Sequence, residues 1–509
     1  MSTATRVIKN TGFLYAKMGI TIFISLYTTR LILNSLGASD FGIFNIVGGA
    51  ISMLGFLNAS LASATQRFMS IAQGEKNVLK QKQIFNVSLV LHFILSVIVG
   101  VSLSFIGYFF FNGILNIPSD RIMAAKIIYS SLIISTIFSI MTAPYDAIMN
   151  AHENMKYYAC IGIIESVLKL IIAIVIVYTK SDKLITYGIL MAIIPFITLS
   201  IMRIYCHRKY TECQISIHRY WNKSLIKNMS SYAGWSFMDA MTGIVASNGL
   251  GIVLNHYWGT ILNAAQGIAN QVGGQLTLFS QNMMKAITPV IMKNEGAGNR
   301  TFMLEIATLG CKYSFLLLAF FAFPFIIEAK FILKLWLKDV PEWAVLFCRL
   351  QLIRCLFEQM TVNLWSAIAA QGNIKNFYSC KSILNFSPLI LCIVGFSYNL
   401  APYWLYIFWI ICWGILNGVV IIYFAKKQCN LSINKYLQTV SIPCFILSLS
   451  VLCIGIIPSI FLPESFLRLL ITIILCAFIF IITFWLTLGN KERISIKELY
   501  NTTLRKWKF

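Results

Sequence analysis

The sequence predicts an all-α polytopic membrane protein of about fourteen transmembrane helices, two parallel six-helix lobes followed by two appended C-terminal helices. Three observations carry this. The 509 residues are 58% hydrophobic and only 12% charged, where a soluble domain carries about 25% charged residues. Many apolar runs approach or exceed the roughly 20 residues that span a bilayer as helix; examples are Leu184–Ile201, Leu389–Val420 (broken near Pro402) and Leu469–Leu488. The chain also resembles itself. Ala151-His-Glu-Asn154-Met-Lys156 reappears 219 residues on as Ala370-Gln-Gly-Asn373-Ile-Lys375, and Lys9-Asn10 reappears 218 residues on as Lys227-Asn228. With a few residues of drift, Leu31–Asn34 matches Ile252–Asn255, and Gly48-Gly49 matches Gly273-Gly274. A nearly constant offset in an apolar chain points to two similar halves around a cavity.

The spans are expected at about 11–33, 41–62, 84–111, 123–147, 157–178 and 184–204 in the first half. The second half repeats them at about 229–255, 261–292, 303–327, 344–369, 377–398 and 402–424, and two more follow at 437–459 and 465–488. The first follows Arg6 and Lys9 but is too long for a cleaved leader and lacks a small-x-small site, so it reads as a retained helix. The domains are an N-terminal lobe 1–209, a basic linker 210–228, a C-terminal lobe 229–428, the appended helices 437–488 and a basic tail 489–509. No loop is long enough to fold as a domain.

The net charge of +23 reads as orientation, not as nucleic-acid binding. With the N-terminus inside, inner segments hold about 26 Lys/Arg, outer loops about 8 and the spans about 7. The loops at 34–40, 256–260 and 399–401 carry none. An even number of spans then places both termini in the cytoplasm. The 13 cysteines form no CxxC pair and no metal-ligand cluster, and most fall inside spans as small apolar residues. The five histidines are scattered. There is no GxxxxGK[ST], HExxH or GxSxG motif, so no cofactor, no metal and no catalytic residue is expected, and the chain does not read as an enzyme.

Candidate functional residues are polar groups at membrane depth, where a charge costs about 2.5–3.5 kcal/mol on insertion scales. In span eight Asn263, Gln266, Asn270, Gly274, Thr277, Gln281 and Lys285 recur at steps of three and four, on one helix face. Two readings are open, polar contact between packed helices or the wall of a hydrated cavity. The length of the stripe and its terminal cation favour the cavity. Span one carries Lys17, Thr21, Ser25 and Thr28, with Arg30 at its outer end. Span seven carries Asp239, and span ten carries Gln351, Arg354, Glu358 and Thr361. Arg354–Glu358 and Glu165–Lys169 are each four apart, the spacing of a self-neutralising intrahelical pair. The candidate buried cations are Lys17, Lys169, Lys285, Arg349 and Arg354, with Lys312. The candidate acids, which could couple transport to protons or sodium, are Asp239, Glu165 and Glu358. A spare positive charge in a low-dielectric cavity would attract an anion, and a lipid-borne diphosphate is one such anion.

Further segments carry a family likeness: Asn10-Thr-Gly-Phe-Leu14, Ser25-Leu-Tyr-Thr-Thr-Arg30-Leu-Ile-Leu-Asn34-Ser-Leu-Gly37, Asp40-Phe-Gly-Ile-Phe-Asn45-Ile-Val-Gly-Gly49, Ser63-Ala-Thr-Gln-Arg67-Phe68 and Ala143-Pro144-Tyr145 with Ala151-His152-Glu153. Over essentially its whole length the chain resembles the bacterial polysaccharide or O-antigen flippases, of the superfamily that includes multidrug and toxin extrusion transporters and the lipid II flippase. That resemblance implies a flippase in the inner membrane. It would move an oligosaccharide linked to undecaprenyl diphosphate to the periplasmic leaflet by alternating access, in lipopolysaccharide or capsule biosynthesis. It implies a cationic central cavity, a groove for the lipid tail at the last two helices, and a polymerase and glycosyltransferases as partners. The span-one arginines of the lipid II flippase have no clear matches here. In this reading Lys17, Lys285 and Arg354 hold the diphosphate, while Asn270 and Gln281 meet sugar hydroxyls. The alternatives are a drug or cation antiporter of the same fold, which needs an acid-dominated site, and a membrane-embedded polysaccharide enzyme, whose usual long outer loop is absent.

Overall fold

The computed structural model describes residues 3–52, 54–114, 117–489 and 492–493. Most of the expected basic tail at 489–509 lies outside them. Every regular element among the described residues is helical. Helix α1 (Thr3–Ser52) holds the first span and the start of the second; α2 (Gly55–Gly74), α3 (Val78–Phe109), α4 (Ile122–Ala151), α5 (Met155–Tyr178) and α6 (Lys183–Lys209) complete the first half. Helix α7 (Lys223–Gly296) holds spans seven and eight, and α8 (Arg300–Leu337) follows. Span ten is two pieces, α9 (Ala344–Gln359) and α10 (Val362–Gln371), and span eleven is α11 (Lys375–Ser397). Span twelve runs from α12 (Trp404–Trp409) through a wide turn at Ile410–Leu416 into α13 (Asn417–Cys429). Span thirteen begins with α14 (Ile433–Tyr436), passes a second wide turn at Leu437–Ser441, and continues as α15 (Ile442–Gly455) and the short α16 (Ile457–Phe461). Span fourteen is α17 (Phe466–Thr487).

Among the described residues, eleven helical stretches are long and apolar enough to cross a membrane by length and composition. The fourteen expected spans are recovered once α7 counts as two, α1 beyond Gly37 joins α2, and α9 joins α10. Span ten is broken at Met360–Thr361 into two pieces each too short to cross alone, and it carries Arg349, Arg354 and Glu358.

Side-chain caps mark where helices begin. Asn77, Asn154, Asp182, Asn222, Asn299, Ser432 and Ser465 each accept a backbone N–H three residues ahead. Each satisfies one donor that the first turn cannot pair. The loops expected at 34–40 and 256–260 are absent. The chain turns instead at one residue, Gly37 (φ 78°, ψ 168°) in α1 and Gly259 (φ 79°, ψ −173°) in α7. This backbone region is open essentially to glycine alone. The two corners lie 222 residues apart, as do the caps Asn77 and Asn299 and the left-handed Lys76 and Gly298. The left-handed Glu153 and Gly372 keep the 219 offset. The backbone therefore repeats where the sequence does, the offset changing from 222 to 219 between the Asn77 cap and Glu153.

The chain divides into two compact units. One comprises Ile8–Phe237 with Met292–Gly298, and the other Met238–Ile291 with the chain from Asn299 onward. In the first, α4 packs against α6, α3 and α2 around Met69, Phe85, Tyr145, Ile148 and Met149. The repeated Ala151–Asn154 motif is a hub there. His152 Nε2 meets Glu212 Oε1 of the linker at 2.5 Å, Glu153 Oε1 takes Lys293 Nζ at 3.3 Å, and Asn10 donates to the Glu153 carbonyl at 3.0 Å. Asn154 donates to the hydroxyls of Tyr205 and Tyr210. In the second unit α8 packs against α9, α10, α15 and α17. Large apolar side chains such as Phe105, Ile252, Phe445 and Phe478 are exposed, as they are where a helix meets lipid.

Candidate functional site

The polar face expected on span eight meets a pocket. Ser247, Asn248, Gly251, Ile252, Asn255 and His256 on the first arm of α7 face Asn263, Gln266, Gly267 and Asn270 on the second, around about 610 Å³. At 1.5 Å per residue the lining runs from roughly 4.5 to 18 Å along the arms from the Gly259 corner. That is well into the ~30 Å hydrocarbon thickness of a bilayer. The pocket contains no Asp, Glu, Lys or Arg. Gln266 is 2% exposed and its Nε2 donor has no partner. Gly251 gives the amides room, since a Cβ there would lie 3.3 Å from both Asn263 Oδ1 and Gln266 Oε1. The rest of the stripe lies outside this lining. Thr277 turns its hydroxyl onto the Gly274 carbonyl (3.0 Å), Gln281 is exposed and Lys285 is partly buried.

A smaller pocket of about 180 Å³ lies in the other unit, where Lys17, Asp146, Tyr158 and Glu165 meet beside Ser139, Thr142 and Thr198. Lys17 Nζ stands 4.5 Å over the Tyr158 ring. Its chain lies along Gly162, where a Cβ would fall 2.1 Å from Lys17 Cε. Glu165 lines the pocket and also takes Lys169 Nζ at 2.7 Å.

The other candidate charges are paired. Arg354 is buried between Glu358, Gln351 (3.2 Å) and the Trp409 ring (4.4 Å). Asp239 takes Lys381 Nζ at 2.7 Å and Asn385 at 3.0 Å. Arg349 donates to the carbonyls of Ile326 and Ile327, and Lys312, 1% exposed, holds Glu492 at 2.8 Å. Neither pocket is lined by Lys285, Arg354, Lys169, Asp239 or Glu358.

Sequence reasoning missed Asp146, Lys381, Asn255, His256 and the Glu328–Arg468 pair (2.7 Å), with Thr472 donating to the same carboxylate at 3.0 Å. Glu328 and Arg468 sit at the ends of apolar runs, where a charge reads as a loop residue. Asn255 was open to detection as a continuation, across the corner, of the polar face that begins at Asn263.

No protein-family model and no curated protein matches the chain. Solved structures do. A crystal structure of a MATE point mutant superposes with a TM-score of 0.72 at 14% identity, over 84% of this chain and 96% of that one. A multidrug resistance MATE family transporter of the MOP superfamily, in an outward-facing conformation, gives 0.70 at 14% identity over 84% and 95%. A MOP superfamily transporter from Pyrococcus furiosus, described as having a binding pocket of reverse polarity that suggests a different function, gives 0.64 at 14% identity over 84% and 96%. The paired six-span halves, the glycine corners and these superpositions together show that the chain has the fold of the MATE transporters.

Proposed function

We propose that the protein is a flippase that carries the polar head of a lipid-linked oligosaccharide across the bacterial inner membrane by alternating access while the polyprenyl chain stays in lipid. The observation that carries this reading is the uncharged lining of the larger pocket, together with the pairing of four carboxylates in the spans. Glu165, Asp239, Glu328 and Glu358 each hold a lysine or arginine. A site for cationic drugs needs an uncompensated carboxylate at membrane depth, because a desolvated cation is costly without one. The larger pocket instead presents a row of amides with no carboxylate, and the second sets Lys17 beside Asp146 and Glu165. Lys17 in one unit and Lys285 in the other each offer positive charge to a diphosphate. Outward movement of negative charge is favoured by an interior-negative potential, by about 2.3 kcal/mol per charge per 100 mV. Glu165 and Asp146, in one pocket with Lys17, are the groups that would exchange a coupling proton or cation. Glycosyltransferases that build the substrate and a polymerase that consumes it are the partners this activity needs.

The decisive measurement is leaflet-resolved accumulation of saccharide lipid in proteoliposomes and in a deletion strain. The wild type is expected to move the lipid, and Lys285→Ala to slow it about tenfold, the cost of one charge-assisted hydrogen bond. Unchanged flux in Lys285→Ala removes that residue from the mechanism. Extrusion of cationic drugs is the second reading, favoured by the neighbour described as a multidrug resistance transporter. Raised drug tolerance in overexpressing cells, with saccharide lipid unmoved, would replace the first reading with the second.

A further inference from the structure

The pocket between the arms of α7 is a built site with one ligand chemistry, and we infer that it is an uncharged sugar-binding subsite, distinct in position and character from the cationic groups that would hold a diphosphate. The inference rests on the flippase reading only for where the sugar comes from. Five carboxamides, Asn248, Asn255, Asn263, Gln266 and Asn270, converge there with His256. A carboxamide offers donors and an acceptor side by side. That matches the hydroxyls of a pyranose, each of which both donates and accepts. Neither pole of a charged ligand finds a counter-ion in this lining. A diphosphate would meet no cation, and a cationic drug no carboxylate. The volume of about 610 Å³ falls within the roughly 300–1,000 Å³ of small-molecule sites, room for more than one sugar ring.

Gln266 identifies the site as prepared rather than incidental. It is 2% exposed, yet its Nε2 donor is unsatisfied. A buried donor left without a partner costs about 1–3 kcal/mol, which a ligand hydroxyl in the pocket would recover. Gly251 and Gly267 complete the cradle by withholding side chains from the lining, and a Cβ on Gly251 would already press on the Asn263 and Gln266 oxygens at 3.3 Å.

The test uses the full chain in lipid nanodiscs, since maltoside micelles would themselves supply sugar. Methyl glucoside and methyl N-acetylglucosaminide probe free pyranoses, and farnesyl-diphosphate-linked N-acetylglucosamine probes the lipid-linked source. Inorganic diphosphate and tetraphenylphosphonium probe the charged alternatives. Calorimetric titration is expected to show pyranose binding that Gln266→Met and Asn270→Leu each weaken about tenfold and the exposed Lys209→Ala leaves unchanged. Asn270 is exposed, so its substitution does not threaten folding. Gln266→Met, which removes an unsatisfied donor at nearly constant volume, is expected to hold or raise the melting temperature of the empty protein. Tighter binding of the farnesyl-linked sugar than of the free one assigns a lipid-borne source, and equal binding assigns a soluble one. Pyranose binding that is absent in both forms, or indifferent to both substitutions, overturns the inference. So does tetraphenylphosphonium binding that Gln266→Met abolishes. A protein that binds pyranoses through Gln266 but moves no saccharide lipid keeps this site and loses the flippase reading. One that flips saccharide lipid equally well with both substitutions keeps the flippase and loses the site.

Discussion

Gln266 and Glu328 show the two ways a polar residue persists in an apolar chain. Gln266 keeps an unsatisfied donor beside a cavity, while Glu328, 1% exposed, is fully engaged by Arg468 and Thr472. Periodicity found the first because its neighbours three and four residues away are polar too. The second was illegible, since its partner lies 140 residues on and nothing local announces it. The same holds for Asp239, whose depth was readable but whose Lys381 and Asn385 partners were not. Arg354–Glu358 and Glu165–Lys169 were legible as pairs because four residues make one helix turn. Breaking one partner of a buried ion pair leaves an uncompensated charge, a cost of about 3–5 kcal/mol, whereas removing both is far milder. Glu328→Gln is therefore expected to lower the melting temperature sharply, and Glu328→Gln with Arg468→Met to restore most of it. Additive losses in that double-mutant cycle would show that the two groups do not interact.

At the scale of helices and their connections, most helix ends fall within a few residues of the expected span limits because hydropathy changes abruptly where the chain leaves lipid, while α2 runs on to Gly74 and α8 to Leu337. The breaks inside spans were not. The interruption at Met360–Thr361 and the wide turns at Ile410–Leu416 and Leu437–Ser441 are settled by packing between helices. The glycine corners were read as loops because Gly37 and Gly259 lie among polar and small residues; only the backbone shows that one residue suffices. The contact between α1 and α5 has its own requirement, for Lys17 crosses α5 at Gly162. Gly162→Ala is expected to drive the lysine off Tyr158 and to reduce transport as strongly as Lys17→Ala, while the combination Lys17→Ala/Gly162→Ala folds as well as Lys17→Ala alone. Retention of full transport in Gly162→Ala would remove Lys17's placement from the mechanism. The linker gives a pH signature. Burial pushes the Glu212 carboxyl up, but the His152 bond and its own backbone N–H hold it, on balance, below the usual carboxylate range. A lowered pKa adds stability that is present above the unfolded value near 4.3 and lost as pH falls through the folded one. Glu212→Gln is accordingly expected to melt below wild type at pH 7, the gap closing as the pH drops below about 4. A gap that persists in acid would assign the loss to packing.

Across the whole chain, the offset between Ala151–Lys156 and Ala370–Lys375 announced a duplication, and caps, corners and left-handed residues recur with it. The halves are not equal in use. The amide pocket lies on α7, and the Lys17 pocket involves α1, α4, α5 and α6. Identical backbone features thus carry different side chains, which is why the duplication was readable and the division of chemistry was not. The appended helices stand outside the repeat but are bolted to α8 at two depths, through Glu328–Arg468 and Lys312–Glu492. Truncation after residue 430 is expected to abolish stable expression by stranding Glu328 and Lys312, and Glu328→Gln with Lys312→Met to recover part of it. Equal expression of both truncated forms would show that lost apolar contact, not stranded charge, is responsible. The corner at Gly259 has a last implication. Its two arms meet at a single residue of positive φ, so a side chain at Gly259 is expected to strain the corner and alter the space the arms enclose.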